Sequence, residues 1–274
     1  MLKQRLLTAL VLALVLTALI FLLPTAVFSA FIALAIFIGA MEWTNLAALH
    51  SPLQKAVFLL LIAAGFAGLW EIYALAPEYN IHVFGAGLLW WILASLWVMF
   101  FSERLVLRQL PVPLRMLFGL LLLLPCWYAL MVLHSSPAYG PAFVFFFLWI
   151  TSWADSGAFF VGRKYGKTKL APVISPGKSW EGVAGGFFAV GIISAVGSWL
   201  LGLSLSEALW LTLICFITVP FCIFGDLVES LCKRQAKIKD SGQLLPGHGG
   251  MLDRIDSLTA AGPVFMFLLL GIGL

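Results

Sequence analysis

The sequence predicts an all-α polytopic integral membrane protein of about nine transmembrane helices, and three observations predict it. Of the 274 residues, 62% are hydrophobic and only 10% charged, against roughly 25% charged in a soluble domain. Mean hydropathy is +1.07. The apolar residues fall in continuous runs near the length of about 20 residues that a helix needs to cross a bilayer, whereas barrel strands would alternate over about ten. The same composition excludes a disordered chain. The four cysteines, Cys126, Cys215, Cys222 and Cys232, lie in apolar stretches or just beyond one and read as packing residues, not as a disulfide scaffold.

The runs are residues 6–23, 26–46, 56–75, 81–101, 116–133, 141–160, 183–201, 208–231 and 257–274. The first follows Lys3 and Arg5, as a signal peptide would, but it exceeds the usual 7 to 15 apolar residues and reads as a retained span. The breaks between runs carry the charge. Every Lys and Arg lies before the first span or in an alternate connection: Lys55, then Arg104, Arg108 and Arg115, then two clusters after the sixth and eighth spans. By the positive-inside rule the N-terminus is cytoplasmic and the C-terminus outside. The net charge of +4 is thus spread over inner connections and makes no nucleic-acid-binding stripe. No internal repeat is evident, which weighs against a secondary transporter.

Only connections 161–182 and 232–256 are long, and they hold ten of the sixteen basic residues, so function is expected there. The first is dense in Gly, Pro and Lys. It carries Gly177-Lys178-Ser179, the end of a P-loop pattern, but Pro172 stands where that pattern needs its first glycine and no strand is expected before it. Asp155 and Asp226 fall within the sixth and eighth spans, and an acidic residue inside a span counts as a site candidate, with the alternative that water or a basic partner satisfies them near the inner ends. Glu42 and Asn45, near the inner end of the second span, read as structural.

Asp253 and Asp256 are three apart where the second connection becomes the ninth helix, so a helical turn projects both from one face. Two carboxylates so placed repel, and a hard divalent cation relieves the repulsion through oxygen ligands. Gly247, Gly249 and Gly250 just before that helix allow close backbone approach to a phosphate. His248, with no cysteine nearby apart from Cys232, makes a poor zinc site and reads as a phosphate or turn contact. Lysines, glycines and carboxylates together suggest a metal-bound phosphate ester.

Residues 230–256, SLCKRQAKIKDSGQLLPGHGGMLDRID, resemble the signature of the phosphatidate cytidylyltransferases, or CDP-diacylglycerol synthases. Its fixed positions are Ser230, Lys233, Arg234, Lys239, Asp240, His248, Gly249, Gly250, Asp253, Arg254 and Asp256. The likeness extends over roughly residues 140–274 through Asp155, Gly162-Arg163 and the SPxKxxEG of Ser175, Pro176, Lys178, Glu181 and Gly182. Gly177 stands where many members have a first Lys. The resemblance divides the chain into N-terminal transmembrane helices, 1–135, about five of them, and a C-terminal catalytic membrane domain, 136–274, with about four helices.

The resemblance implies metal-assisted, in-line attack of the phosphatidate phosphate on the α-phosphorus of CTP, giving CDP-diacylglycerol and pyrophosphate. It implies Mg²⁺, with room for a second metal ion, and Asp226, Asp253 and Asp256 as ligands. Lys233, Lys239 and Arg254 join these as catalytic candidates, while Lys178, Ser175, Ser179, Arg234, His248 and Asp155 are candidates for substrate binding. The expected partners are CTP, phosphatidate and membrane lipid, with no nucleic acid, and a homodimer is compatible. The expected place is the cell (inner) membrane, multi-pass, with the site on the cytoplasmic face and a polar cavity open towards the bilayer. A polyprenol kinase using CTP is the nearest alternative and conflicts with the complete signature. A transporter would place its ionisable groups nearer the midplane, and an inactive scaffold would have no use for the intact carboxylates.

Overall fold

The computed structural model describes residues 13–101, 106–137, 140–242 and 249–273. Among them are a short apolar helix α1 (Ala13–Leu22) and eight further helical stretches long and apolar enough to cross a membrane. These are α2 (Thr25–Leu46), α3 (Pro52–Leu75), the stretch Pro77–Phe100 that contains α4 (Asn80–Leu96), α5 (Val112–His134), α6 (Gly140–Tyr165), α7 (Trp180–Leu200), α8 (Leu205–Gln235) and α9 (Leu252–Ile272). Helices dominate because a chain in hydrocarbon has to satisfy its own backbone N–H and C=O groups. The start of the first expected span, with Lys3 and Arg5, lies outside the described residues.

Helix α5 is the centre of the bundle, with 72% of its most apolar window buried, against 11% for the peripheral α3. It packs against α2, α3, α4, α6 and α9, and α9 also packs on α4 and α8. Where α4, α5 and α9 meet, Gly87 leaves a notch: a Cβ there would stand 2.7 Å from the ring of Pro263 and 3.4 Å from that of Pro125. Both prolines are inside helices, which a packed bundle tolerates because its neighbours fill around the kink.

Helices α6 and α7 pack closely, and this follows from small residues. A Cβ on Gly157 would meet the Gly185 carbonyl oxygen at 2.6 Å, and one on Gly182 would meet that of Ala158 at 2.8 Å. With glycines at these positions, the backbones come together and gain dispersion contacts that lipid cannot match.

One end of the bundle gathers the basic residues. Arg115 donates to the carbonyls of Ala47 and Ala48 at 2.6 and 2.9 Å, and Arg108 to those of Asn45 and Leu46 at 2.9 and 3.2 Å. Both arginines thus satisfy the orphan carbonyls at the C-terminus of α2, where the helix dipole favours cations. At the opposite end, His134 is a core residue: it stacks on Phe28 and bonds Thr25 and the Ile20 carbonyl.

The expectation that no strand precedes Gly177 is corrected. Strand β1 (Lys169–Ala171) comes before Pro172 and pairs antiparallel with β2 (Ser175–Ser179), Lys169 opposite Ser179 and Ala171 opposite Ser175. Strands so short, set among Gly and Pro, show no apolar alternation. They are held instead by their helical flanks: the Glu181 carboxylate at the start of α7 accepts the N–H groups of Lys167 and Thr168, and Trp180 donates to the Thr168 carbonyl. The expected connection 161–182 is therefore a helix end, a hairpin and a helix start.

Candidate active site

At the basic end α6, the hairpin, α7, α8 and α9 enclose a cavity of about 710 Å³. Helix α6 supplies Asp155 and, two turns later, Arg163; the hairpin supplies Lys169, Ser175, Lys178 and Ser179; α8 supplies Asp226; α9 supplies Asp253, Asp256 and Ser257. Four carboxylates and three cations therefore share one wall. The first turn of α9 is helical, so the spacing of three puts Asp253 and Asp256 on one side, as expected.

Lys178 is the cation at the middle of the acidic group. Its Nζ lies 2.8 Å from Asp226 Oδ2 and donates to the Ile223 carbonyl at 3.1 Å. Asp155 and Asp256 are both within its electrostatic reach and within that of Asp226. Ser230 donates to Asp226 Oδ1 at 3.0 Å and Ser257 to Asp155 Oδ2 at 3.1 Å, while Asp256 Oδ1 accepts the Ser257 N–H at 2.7 Å. The second oxygens of Asp155 and Asp256 have no protein donor among the described residues. Three carboxylates around one ammonium leave an excess of negative charge facing the cavity.

Among the described residues no three acidic, histidine or cysteine side chains are arranged to enclose a metal ion alone. The donors suit an ion held by one or two carboxylates and completed by water and substrate phosphate, as Mg²⁺ commonly is. Free oxygens on Asp155 and Asp256, beside an Asp226 already drawn to a cation, are such donors.

Asp253 is differently placed, although it borders the same cavity. Its Oδ1 takes the Lys233 ammonium at 2.6 Å; its Oδ2 accepts Gly250 N–H at 2.8 Å, Ser241 N–H at 2.9 Å and the Ser241 hydroxyl at 3.1 Å. Lys233 also pairs with Glu229 at 2.7 Å. This second centre is more deeply buried, with side-chain exposures of 13% for Lys233, 4% for Glu229 and 8% for Asp253, against 22% and 31% for Lys178 and Asp226. Lys233 thus faces Glu229 and Asp253 and does not line the cavity.

The other expected residues divide. Ser175 and Ser179 line the cavity, and Ser179 is also the N-cap of α7, its hydroxyl accepting the Gly182 N–H at 3.1 Å. Arg234 is exposed and makes a long 3.4 Å contact to the Ile174 carbonyl, tying α8 to the hairpin. Lys239 is exposed and does not line the cavity; Arg254 is exposed on the first turn of α9. His248 lies outside the described residues. The geometry also explains the paired glycines. Gly249 has φ +81°, and a Cβ there would press on Asp253 Oδ2 at 2.6 Å, while one on Gly250 would collide with Ser241 Oγ and the Glu42 carboxylate.

The sequence alone did not assign Lys169, Ser241, Ser257 or Glu229 to the site, and Arg163 entered only through the Gly162-Arg163 likeness. Only Glu229, an acid inside an apolar run, carried a signal of its own.

Comparison with known proteins gives the family of the chain. Residues 3–271 match the sequence profile described as Cytidylyltransferase family. The phosphatidate cytidylyltransferase of Pseudomonas aeruginosa is 42% identical over 279 residues, covering 100% of this chain and 98% of that protein. The one from Haemophilus influenzae is 36% identical over 287 residues, covering 97% and 98%. The Bacillus subtilis enzyme of the same name is 40% identical over 144 residues, 53% of each chain. With a profile match and a full-length relative both in hand, the chain belongs to the cytidylyltransferase family.

Proposed function

We propose that the chain transfers the cytidylyl group of CTP to phosphatidate, releasing pyrophosphate and forming CDP-diacylglycerol for phospholipid biosynthesis. The observation that carries this reading is the convergence of the two long polar segments on one cavity whose wall combines carboxylates with lysine and arginine. Two anionic phosphates have to meet there, so fixed cations and oriented carboxylates matter more than a protein nucleophile. Lys178, Arg163 and Lys169 are placed to neutralise the triphosphate and the departing pyrophosphate. A phosphate monoester, with a second pKa of about 6, is already largely ionised near neutral pH and needs no general base.

Asp226 and Asp256, with Asp155 beside them and Asp253 braced next to them, would hold Mg²⁺, with room for a second ion. When bound, the ion would draw charge from the phosphate oxygens and orient both substrates. Ser230 keeps the Asp226 carboxylate in position and Ser257 does so for Asp155. The basic end faces the cytoplasm of the inner membrane on the positive-inside argument, where CTP is found, and the acyl chains stay among the helices and the lipid. Phe159 and Val183 give the cavity an apolar border suited to them.

The test is product analysis with purified protein, CTP, phosphatidate and Mg²⁺, with EDTA and Asp256→Asn as controls. Cytidylylated lipid and pyrophosphate, both lost in the controls, are the expected result. Release of CDP on addition of a polyprenol, with no pyrophosphate, would replace the reading by a lipid kinase.

A further inference from the structure

Glu42 belongs to α2, far in sequence from either polar segment, and it is 9% exposed. Its carboxylate is committed to three donors. Oε2 accepts the Ser241 hydroxyl at 2.7 Å and the Leu252 N–H at 2.9 Å, and Oε1 accepts the Met251 N–H at 2.9 Å. Helix α9 has no side-chain cap of its own. The first N–H groups of a helix need acceptors, and the dipole there favours a negative charge. Glu42 meets both needs from another helix.

The same contacts lead into the site. The Ser241 hydroxyl lies between Glu42, at 2.7 Å, and Asp253, at 3.1 Å, with its single proton shared between the two carboxylates, and the Ser241 N–H donates to Asp253. Gly242 and Gly250 close around the Glu42 carboxylate so tightly that a Cβ on either would collide with it. Glu42 and Asp253 thus share one knot that fixes the residues on both sides of positions 243–248 and the first turn of α9, which also carries Asp256. We propose that Glu42 is a positioning residue for the transfer reaction: it sets Asp253 and Asp256, and through Asp253 the Lys233 ammonium. This rests on the function proposed above. It gives the N-terminal helices a part in the chemistry, which the resemblance assigned to residues 140–274.

The experiment compares full-length wild type with Glu42→Ala, Glu42→Gln and Trp43→Phe in one detergent, recording kcat, the KM values for CTP and phosphatidate, the Mg²⁺ requirement and the melting temperature. Trp43 is the control, because it donates to the Arg115 carbonyl from the same turn of α2 and does not touch the knot. Supports of this kind cost about 10- to 100-fold in activity or metal affinity when removed. Glu42→Ala is expected to lower kcat per folded molecule and raise the Mg²⁺ requirement within that range, with the KM for phosphatidate unchanged. Its melting temperature should rise less on addition of Mg²⁺ and CTP than that of wild type.

Glu42→Gln keeps an acceptor for Ser241 and Leu252 and should recover part of the loss. Trp43→Phe should melt lower yet turn over like wild type. If Glu42→Ala does not fold, Ser241→Ala reads the same knot and should show the same rise in Mg²⁺ requirement. Wild-type kcat and Mg²⁺ dependence in the folded Glu42 variants, or losses in Glu42→Ala and Trp43→Phe that simply track melting, would overturn the proposal. A wild-type protein that makes no cytidylylated lipid would overturn the proposed function instead.

Discussion

Two lysines, each surrounded by carboxylates, sit on the two sides of the first turn of α9. Lys178 reaches Asp226 near Asp155 and Asp256, in a place open to the cavity. Lys233 is enclosed between Glu229 and Asp253, behind the cavity wall. The first group keeps acceptor oxygens open to the cavity; in the second, both Asp253 oxygens are engaged, by Lys233, Ser241 and Gly250, and the spare Glu229 oxygen is buried. Similar residues therefore do different work. An open, under-neutralised group attracts cations and phosphates, while a closed one fixes geometry.

The sharpest break of this comparison comes from Asp256→Asn. Turnover should fall about 1,000-fold, the upper range for losing one preorganised electrostatic group, while the melting temperature holds or rises because a like-charge contact is relieved. A fall in melting temperature instead would place Asp256 with the brace. Lys178→Met comes next, with an expected loss of about 100-fold in kcat/KM for CTP, measured from initial rates at saturating lipid.

Lys233→Met should invert the pattern. Removing one partner of a buried ion pair destabilises by about 3–5 kcal/mol, so thermal or denaturant unfolding in detergent should show a large shift, with turnover per folded molecule down only about tenfold. Loss of activity with unchanged stability would move Lys233 into the open group. The smallest effect is expected for Glu229→Gln. Glu229 Oε1 is buried without a hydrogen-bond partner, and the amide keeps the acceptor for Lys233, so stability should change by no more than about 1 kcal/mol and turnover should stay near wild type.

The spans were legible because the bilayer imposes a length and a polarity on each helix, and those survive in any reading of hydropathy. The polar ends were less so. Positions 161–182 read as a loop, since a hairpin of three- and five-residue strands depends on Glu181 and on the helices that flank it, not on its own pattern. The spacing of Asp253 and Asp256 placed both on one face, yet did not distinguish the carboxylate bound by Lys233 and Ser241 from the one left partly open. Glu42 read as structural because its partners are about 200 residues away, Ser241 by 199 positions. Lys178 was expected in substrate binding and Lys233 in catalysis, and only the fold shows that Lys178, on the hairpin, borders the cavity while Lys233 is on the inward side of α8.

The glycine seam between α6 and α7 bears on how substrates come and go. Gly157 and Gly182 face the carbonyls of Gly185 and Ala158, and the side chains of Ala189 and Val161 fit against Gly157 and Gly185, so the two helices are keyed together by small residues. Separating the pair would forfeit these close backbone contacts, which lipid tails replace poorly. Asp155 on α6 and the hairpin residues joined to α7 are consequently held as one side of the cavity, so a nucleotide or lipid meets a fixed wall there, across from Asp226 on α8 and Asp256 on α9.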